Sequence, residues 1–326
     1  MKPSSFRLTC AFIAVLPAFV FAGEEHSATY DIRVDTSEAT RALLENYRAA
    51  NANHARRAAD LHATMARGQA ALAARVPQVR VDANPLTHLP EIVASEASAL
   101  TGPSGAKHEA VMRKFVTDNA AFFGLSAKQA AQLKTNADYA NPAGNLSWVE
   151  LEQIIHGIPV FQGTIRAALG KDGAIARTTG NLAAGLDEAS LPTTPKLTPA
   201  AAAAAAAGTI NVEVDAKSLR VQTVKNDGRT KILSKGPFTQ EIQTDLVYFP
   251  LEPGVATLAY SLVLWQPVKA YYMIVDAQTG TPADPVLVDR ATGRLLCSPD
   301  FRIAAGPAAR PSTRRRLATP GREDLS

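Results

Sequence analysis

The chain has 326 residues, 46% of them hydrophobic and 20% charged, enough for one large or two ordinary domains with real cores and unlike a disordered or multi-pass membrane protein. Lys and Arg (34) exceed Asp and Glu (30) by four, and residues 302–326 alone carry Arg302, Arg310, Arg314, Arg315, Arg316 and Arg322 against Glu323 and Asp324. The body is therefore near neutral, which removes the basic-patch argument for nucleic-acid binding, and two cysteines, Cys10 and Cys297, give no disulfide framework once the first is lost with a leader.

Lys2 and Arg7 precede an apolar run from Leu8 to Ala22 that ends Val20-Phe21-Ala22 before Gly23-Glu24-Glu25. This is the layout of a secretory signal, with cleavage expected between Ala22 and Gly23. The run is too short for a bilayer span of about 20 residues, so no stable membrane span is expected after cleavage. Cys10 comes too early to be a lipoprotein cysteine. The mature chain is expected to be secreted or periplasmic.

From Thr36 to about Arg75 the sequence is rich in Ala, Arg and Glu, with Leu43, Leu44, Tyr47, Leu61, Met65 and Leu72 near helical spacing. A long, mostly solvated helix or helix pair is predicted, with His54, Arg56, Arg57 and His62 on a charged outer face. Val79 and Val81 then alternate with Arg80 and Asp82 as in a short strand, broken at Pro85–Pro90. A loop follows at Thr101–Gly105, and Val111, Phe115, Val116, Ala120, Phe122, Phe123 and Leu125 line a helix from His108 that stops at Gly124. Ser126 is the expected N-cap of a further turn or two to Leu133.

The period then changes from 3.6 to about 2. Leu146–Ile155, Ile158–Leu169 and Ala174–Leu182 are strand-length, the last two joined by Lys171-Asp172-Gly173, a hairpin signal whose Asp and Gly both accept positive φ. Residues 185–199, with Pro192, Pro195 and Pro199, read as a linker. Thr198-Pro199 opens an eight-alanine run, Ala200–Ala207, closed by Gly208, and predicts a small-faced helix laid against a sheet. Strands are expected again at Val212–Val214, Leu219–Val224, Thr244–Pro250, Leu258–Trp265 and Ala270–Asp276, with turns at Asn226-Asp227-Gly228 and Pro253-Gly254. Helix followed by antiparallel strands, twice over, predicts an α+β fold of two similar units.

Catalytic patterns are sparse. His108-Glu109-Ala110-Val111-Met112 has a thioether where a zinc-protease helix needs its second imidazole. Ser104-Gly105-Ala106-Lys107 fits S-x-x-K but lies in a Gly/Pro loop without a Lys-Thr-Gly element. Cys297 has no adjacent histidine. A chain of this kind is expected to bind or block a partner. The alternatives are a hydrolase using Ser104 and Lys107, a metal site at His108, or a surface-binding module whose Arg-rich tail meets anionic envelope components.

Ile155-His156-Gly157-Ile158-Pro159-Val160-Phe161-Gln162-Gly163, then Asp172-Gly173, then Thr179-Gly180-Asn181-Leu182, resembles in order and spacing the propeptide (FTP) domain of fungalysin/thermolysin-like secreted zinc metallopeptidases. The alanine helix and the strands after it, ending Ala270–Gly280 with Asp276 and Gly280, are similar to the PepSY-type second propeptide subdomain. The resemblance spans about residues 30–280. After the signal peptide at 1–22, the chain then divides into a helical leader at 23–76, an FTP-like domain at 77–190, a PepSY-like subdomain at 191–280 and, where it departs from the family, a divergent basic tail at 281–326 whose Pro-, Ala- and Arg-rich composition reads as disordered. Both subdomains would be cystatin-like, a helix on an antiparallel sheet. The resemblance also implies a chaperone and inhibitor of a zinc metallopeptidase catalytic domain, in cis in a full-length precursor or in trans. No cofactor is expected in this chain, since the zinc would belong to the cognate peptidase. Gly157, Pro159, Val160, Phe161, Gly163, Asp172, Gly173, Gly180, Asp276 and Gly280 are expected to be structural residues of that motif, with no catalytic or metal residue. A complete precursor would continue into a domain carrying H-E-x-x-H. The change of composition after Thr281 is what a truncated or frameshifted precursor would give.

Overall fold

The computed structural model describes residues 53–280 except 85, 86, 144 and 145, together with Glu45, Asn46, Arg48 and Ala49, and the backbone of 286–288 and 295–296. The signal segment with Cys10, Ala22 and Gly23, the far tail and Cys297 lie outside the described residues.

The fold is α+β. Helix α1 (His54–Ala73) is followed by strands β1 (Val79–Ala83) and β2 (Pro90–Ser95), helices α2 (His108–Asp118) and α3 (Ala127–Gln132), and strands β3 (Lys134–Ala140), β4 (Leu146–Ile155), β5 (Ile158–Gly170) and β6 (Ile175–Asn181). These strands form a first antiparallel sheet in the order β1-β2-β6-β5-β4-β3. Helix α4 (Pro199–Thr209) precedes β7 (Val221–Lys225), β8 (Thr230–Leu233), β9 (Ile242–Glu252), β10 (Val255–Trp265), β11 (Ala270–Asp276), β12 (Val286–Val288) and β13 (Leu295–Leu296), a second antiparallel sheet paired in chain order. One parallel bridge, Val160 to Tyr248, joins the sheets.

Strand alternation places Val149, Leu151, Ile155, Ile165, Ala167 and Leu169 inward. In the first unit Val149, Leu151, Ile165, Ala167 and Leu169 pack on Met112, Phe115 and Val116 of α2 and Leu72 of α1, while Ile155 joins the core of the second unit. In the second, Ala202, Ala203, Ala206 and Ala207 are fully buried against Tyr248, Leu258, Tyr260, Leu262 and Met273. An alanine face brings the helix backbone close to the sheet, so the low-complexity run is a packing device. Thr198 caps it, its Oγ1 accepting from the Ala201 N–H at 3.1 Å.

Several sequence expectations differ from the structure. Helix α1 is mostly solvated, as expected, but it is anchored at two points where Met65 and Leu72 are buried, and a Cβ on Gly68 would sit 2.4 Å from the Phe122 amide nitrogen. His54 is not on an outer face, because its Nε2 meets Glu252 Oε1 at 2.9 Å beside the Arg48–Glu252 pair. Helix α2 ends at Asp118, and Phe122 and Phe123 lie in the turns before Gly124. Pro90 starts a strand where a break alone was expected, β3 and β8 are additional strands, and residues 212–214 form none. Gly208 lies inside α4, without a positive φ. The stretch expected as a linker is pinned down, since the Lys196 and Leu197 N–H groups both donate to Ala277 O at 3.0 Å and Leu186 and Leu191 are buried.

Candidate functional site at the sheet junction

Strand β5 belongs to both sheets because it bulges. It leaves β4 through a two-residue turn in which His156 (φ 51°) and Gly157 (φ 76°) are both left-handed, the geometry of a type I′ hairpin. Ile155 then pairs Ile158 and Ile154 pairs Pro159, but pairing resumes only at Glu152 with Thr164. The intervening residues 160–163 swing away from β4. Val160 bridges Tyr248 and enters the core beneath α4, while Phe161 turns to the opposite face and packs on Phe249 and Tyr272 at centroid distances of 5.5 and 6.0 Å. Pro159 carries no N–H and needs no ladder partner at the edge of the bulge. Gly163 closes it, since a Cβ there would lie 2.9 Å from that of Val160.

Gln153, which the sequence reading passed over, stands opposite the bulge. It is buried, and its side-chain amide accepts from Ala183 N–H at 2.8 Å and donates to Ala183 O at 3.1 Å, replacing a rung of the ladder. The available signal was a polar amide at an inward position of β4, between Leu151 and Ile155.

A cavity of about 510 Å³ opens beside the bulge, lined by Glu152, Phe161, Arg229, Asp245 and Tyr272 among others. A neighbouring cavity of about 610 Å³ shares Asp245, Ser261 and Tyr272 with it. Asp245 accepts from Thr230 Oγ1 at 2.5 Å and Gln243 Nε2 at 2.9 Å. Burial pushes the Glu152 carboxyl above the usual carboxylate range, against the pull of Lys134. Burial also pushes the Tyr272 phenol up to about 12, although its 2.5 Å hydrogen bond with Ser261 acts the other way. Ser261 therefore faces a protonated phenol, not a base. The cleft offers donors and acceptors over an aromatic floor, the composition of a binding surface.

The remaining motif residues sit at turns and close approaches. In the β5–β6 connection only Gly173 has a positive φ (74°), not Asp172 as well; Asp172 Oδ1 instead accepts from Ala174 N–H at 3.1 Å. A Cβ on Gly173 would lie 2.1 Å from Ser104 O, and one on Gly180 2.3 Å from Thr164 O. Asp276, buried at the end of β11, accepts from the N–H groups of Gln278 (2.9 Å) and Thr279 (2.7 Å) and from the hydroxyls of Thr279 and Thr257. Gly280 closes that turn against Leu197.

The weaker chemical candidates are dispersed. Ser104 Oγ accepts from Ala106 N–H, and Lys107 is the N-cap residue of α2. Met112 is fully buried, and His108 Nδ1 lies 3.7 Å from Asp138. Among the described residues no three His, Cys, Asp or Glu side chains are grouped to hold a metal ion, and no helix is long and apolar enough to cross a membrane.

No protein-family model matches the chain, and no curated protein does. Among solved structures, the Bacillus megaterium YpeB C-terminal domain overlaps 64% of this chain and 75% of its own, with a TM-score of 0.27 and 11% identity. Overlap at that level carries no functional argument.

Proposed function

We propose that the chain is a non-catalytic, propeptide-like protein that chaperones and inhibits a fungalysin-type zinc metallopeptidase, in cis within a longer precursor or in trans. The observation that supports the reading is the bulge. The run Gly157-Ile158-Pro159-Val160-Phe161-Gln162-Gly163, which carries the family resemblance, is the segment that turns, unpairs and splices one helix-on-sheet unit to the next. In this reading the zinc resides in the partner and this chain supplies a preformed surface. A hydrogen-bonded sheet assembled early can template a slower-folding enzyme and stay docked on it with little rearrangement. The cleft of Glu152, Phe161, Asp245 and Tyr272 is the docking face of this reading, and export by the Leu8–Ala22 signal would deliver the chain to a secreted partner.

Refolding tests the chaperone half. A denatured fungalysin-type catalytic domain diluted from urea should regain activity in higher yield when residues 23–326 are present and are then removed by proteolysis. Equal yields with and without the chain would count against the reading.

A further inference from the structure

A pocket of about 490 Å³ opens where the end of α1, helix α2 and the loop 100–106 meet. It shares no lining residue with the junction cleft. Leu72, Val76, Leu100, Val111 and Phe115 give it an apolar floor.

Arg75 stands at the mouth, just past the end of α1. Its Nε donates to Ala71 O at 3.1 Å and its Nη2 to Asn119 Oδ1 at 2.6 Å. Asn119 is itself buried, and its Nδ2 donates to Phe115 O at 2.7 Å, so the amide that aims the guanidinium cannot turn. Among the described residues no carboxylate pairs with Arg75 and Nη1 has no acceptor. Across the mouth Lys114 pairs with Asp118 at 2.9 Å, which leaves the rim net positive. A planar donor fork held by a buried amide and lacking an anion is pre-organised for a carboxylate. The volume falls in the range of small-molecule sites, roughly 300–1,000 Å³.

We infer that this pocket binds an aliphatic carboxylate, its head on Arg75 and its chain on the floor formed by Leu72, Val76, Leu100, Val111 and Phe115. The charge at the rim selects the head group, and the apolar floor takes the tail. The site is independent of peptidase binding.

Calorimetric titration of residues 23–326 with decanoate, and with decanol as its uncharged counterpart, tests the inference. Decanoate should bind one to one and at least about tenfold more tightly than decanol, the worth of one charge-assisted hydrogen-bond pair. Arg75→Met should reduce decanoate to the level of decanol and leave decanol unchanged. Ala110→Trp, at an exposed α2 position on the rim, should close the mouth and abolish both without unfolding the chain. Absence of decanoate binding, equal affinity for the two probes, or binding that survives Ala110→Trp would overturn the assignment.

Discussion

Val160 and Tyr248 are the pair through which the two sheets meet, and their bridge is parallel where every other ladder among the described residues is antiparallel. Both side chains lie in the core under α4, so the joint is fixed by burial as well as by pairing. The bulge that makes it possible depends on Gln153. Replacing Gln153 by Ala leaves both backbone groups of Ala183 buried and unpaired, and should cost about 3 kcal/mol. Urea unfolding should show the lower midpoint, and hydrogen exchange should show lost protection at Ala183.

Gly173 of the β5–β6 turn and Gly105 of the loop that packs beside it differ in what a side chain would meet. Gly173→Ala meets Ser104 O at a left-handed backbone position and should lose about 2 kcal/mol or more. Gly105→Ala meets nothing within 4 Å and needs no positive φ, so it should stay within about 0.5 kcal/mol of the parent. Urea midpoints at unchanged slope check the pair.

Gly208 gives a prediction of opposite sign. A glycine that closed α4 in the left-handed conformation would lose stability on replacement by alanine. Gly208 is instead helical, exposed and clear of neighbours, so Gly208→Ala should gain about 0.5–1 kcal/mol. Thermal unfolding of the single variant decides between the two.

Alkaline pH should unfold the chain through its buried phenols. Burial pushes Tyr248, Tyr260 and Tyr272 each up to about 12. Unfolded tyrosine ionises near pH 10. Between those values the unfolded state holds fewer protons than the folded one, so stability is complete below about pH 10 and is lost as pH rises toward 12. Absorbance of tyrosinate and circular dichroism should change together in that window. Phenols that ionise near pH 10 with the fold intact would contradict it.

The sequence revealed most where one face of an element is buried. Leu146–Ile155 alternates cleanly because α2 and α3 cover one side of its sheet, and Ser126 caps α3 by a local hydrogen bond from the Gln129 N–H. Strand β3 was hidden because it is an edge strand, Lys134-Thr135-Asn136-Ala137-Asp138-Tyr139-Ala140, with no residue buried. Strand β2 begins with a proline, and β8 is only four residues long. The His54–Glu252 and Arg48–Glu252 pairs join segments distant in sequence, and no local pattern encodes them. At the candidate site the glycines and the turn were legible as a motif. The register slip that sends Val160 to one core and Phe161 to the opposite face was not, because a bulge resets the alternation from which facing is read.

Inhibition is the first test of the proposal that this chain binds and blocks a zinc metallopeptidase. Residues 23–326 should be titrated into an active fungalysin-type peptidase while hydrolysis of a peptide substrate is followed. The rate should fall in proportion to added chain at micromolar concentrations and recover when the chain is degraded. An unchanged rate at those concentrations across several such peptidases would contradict it.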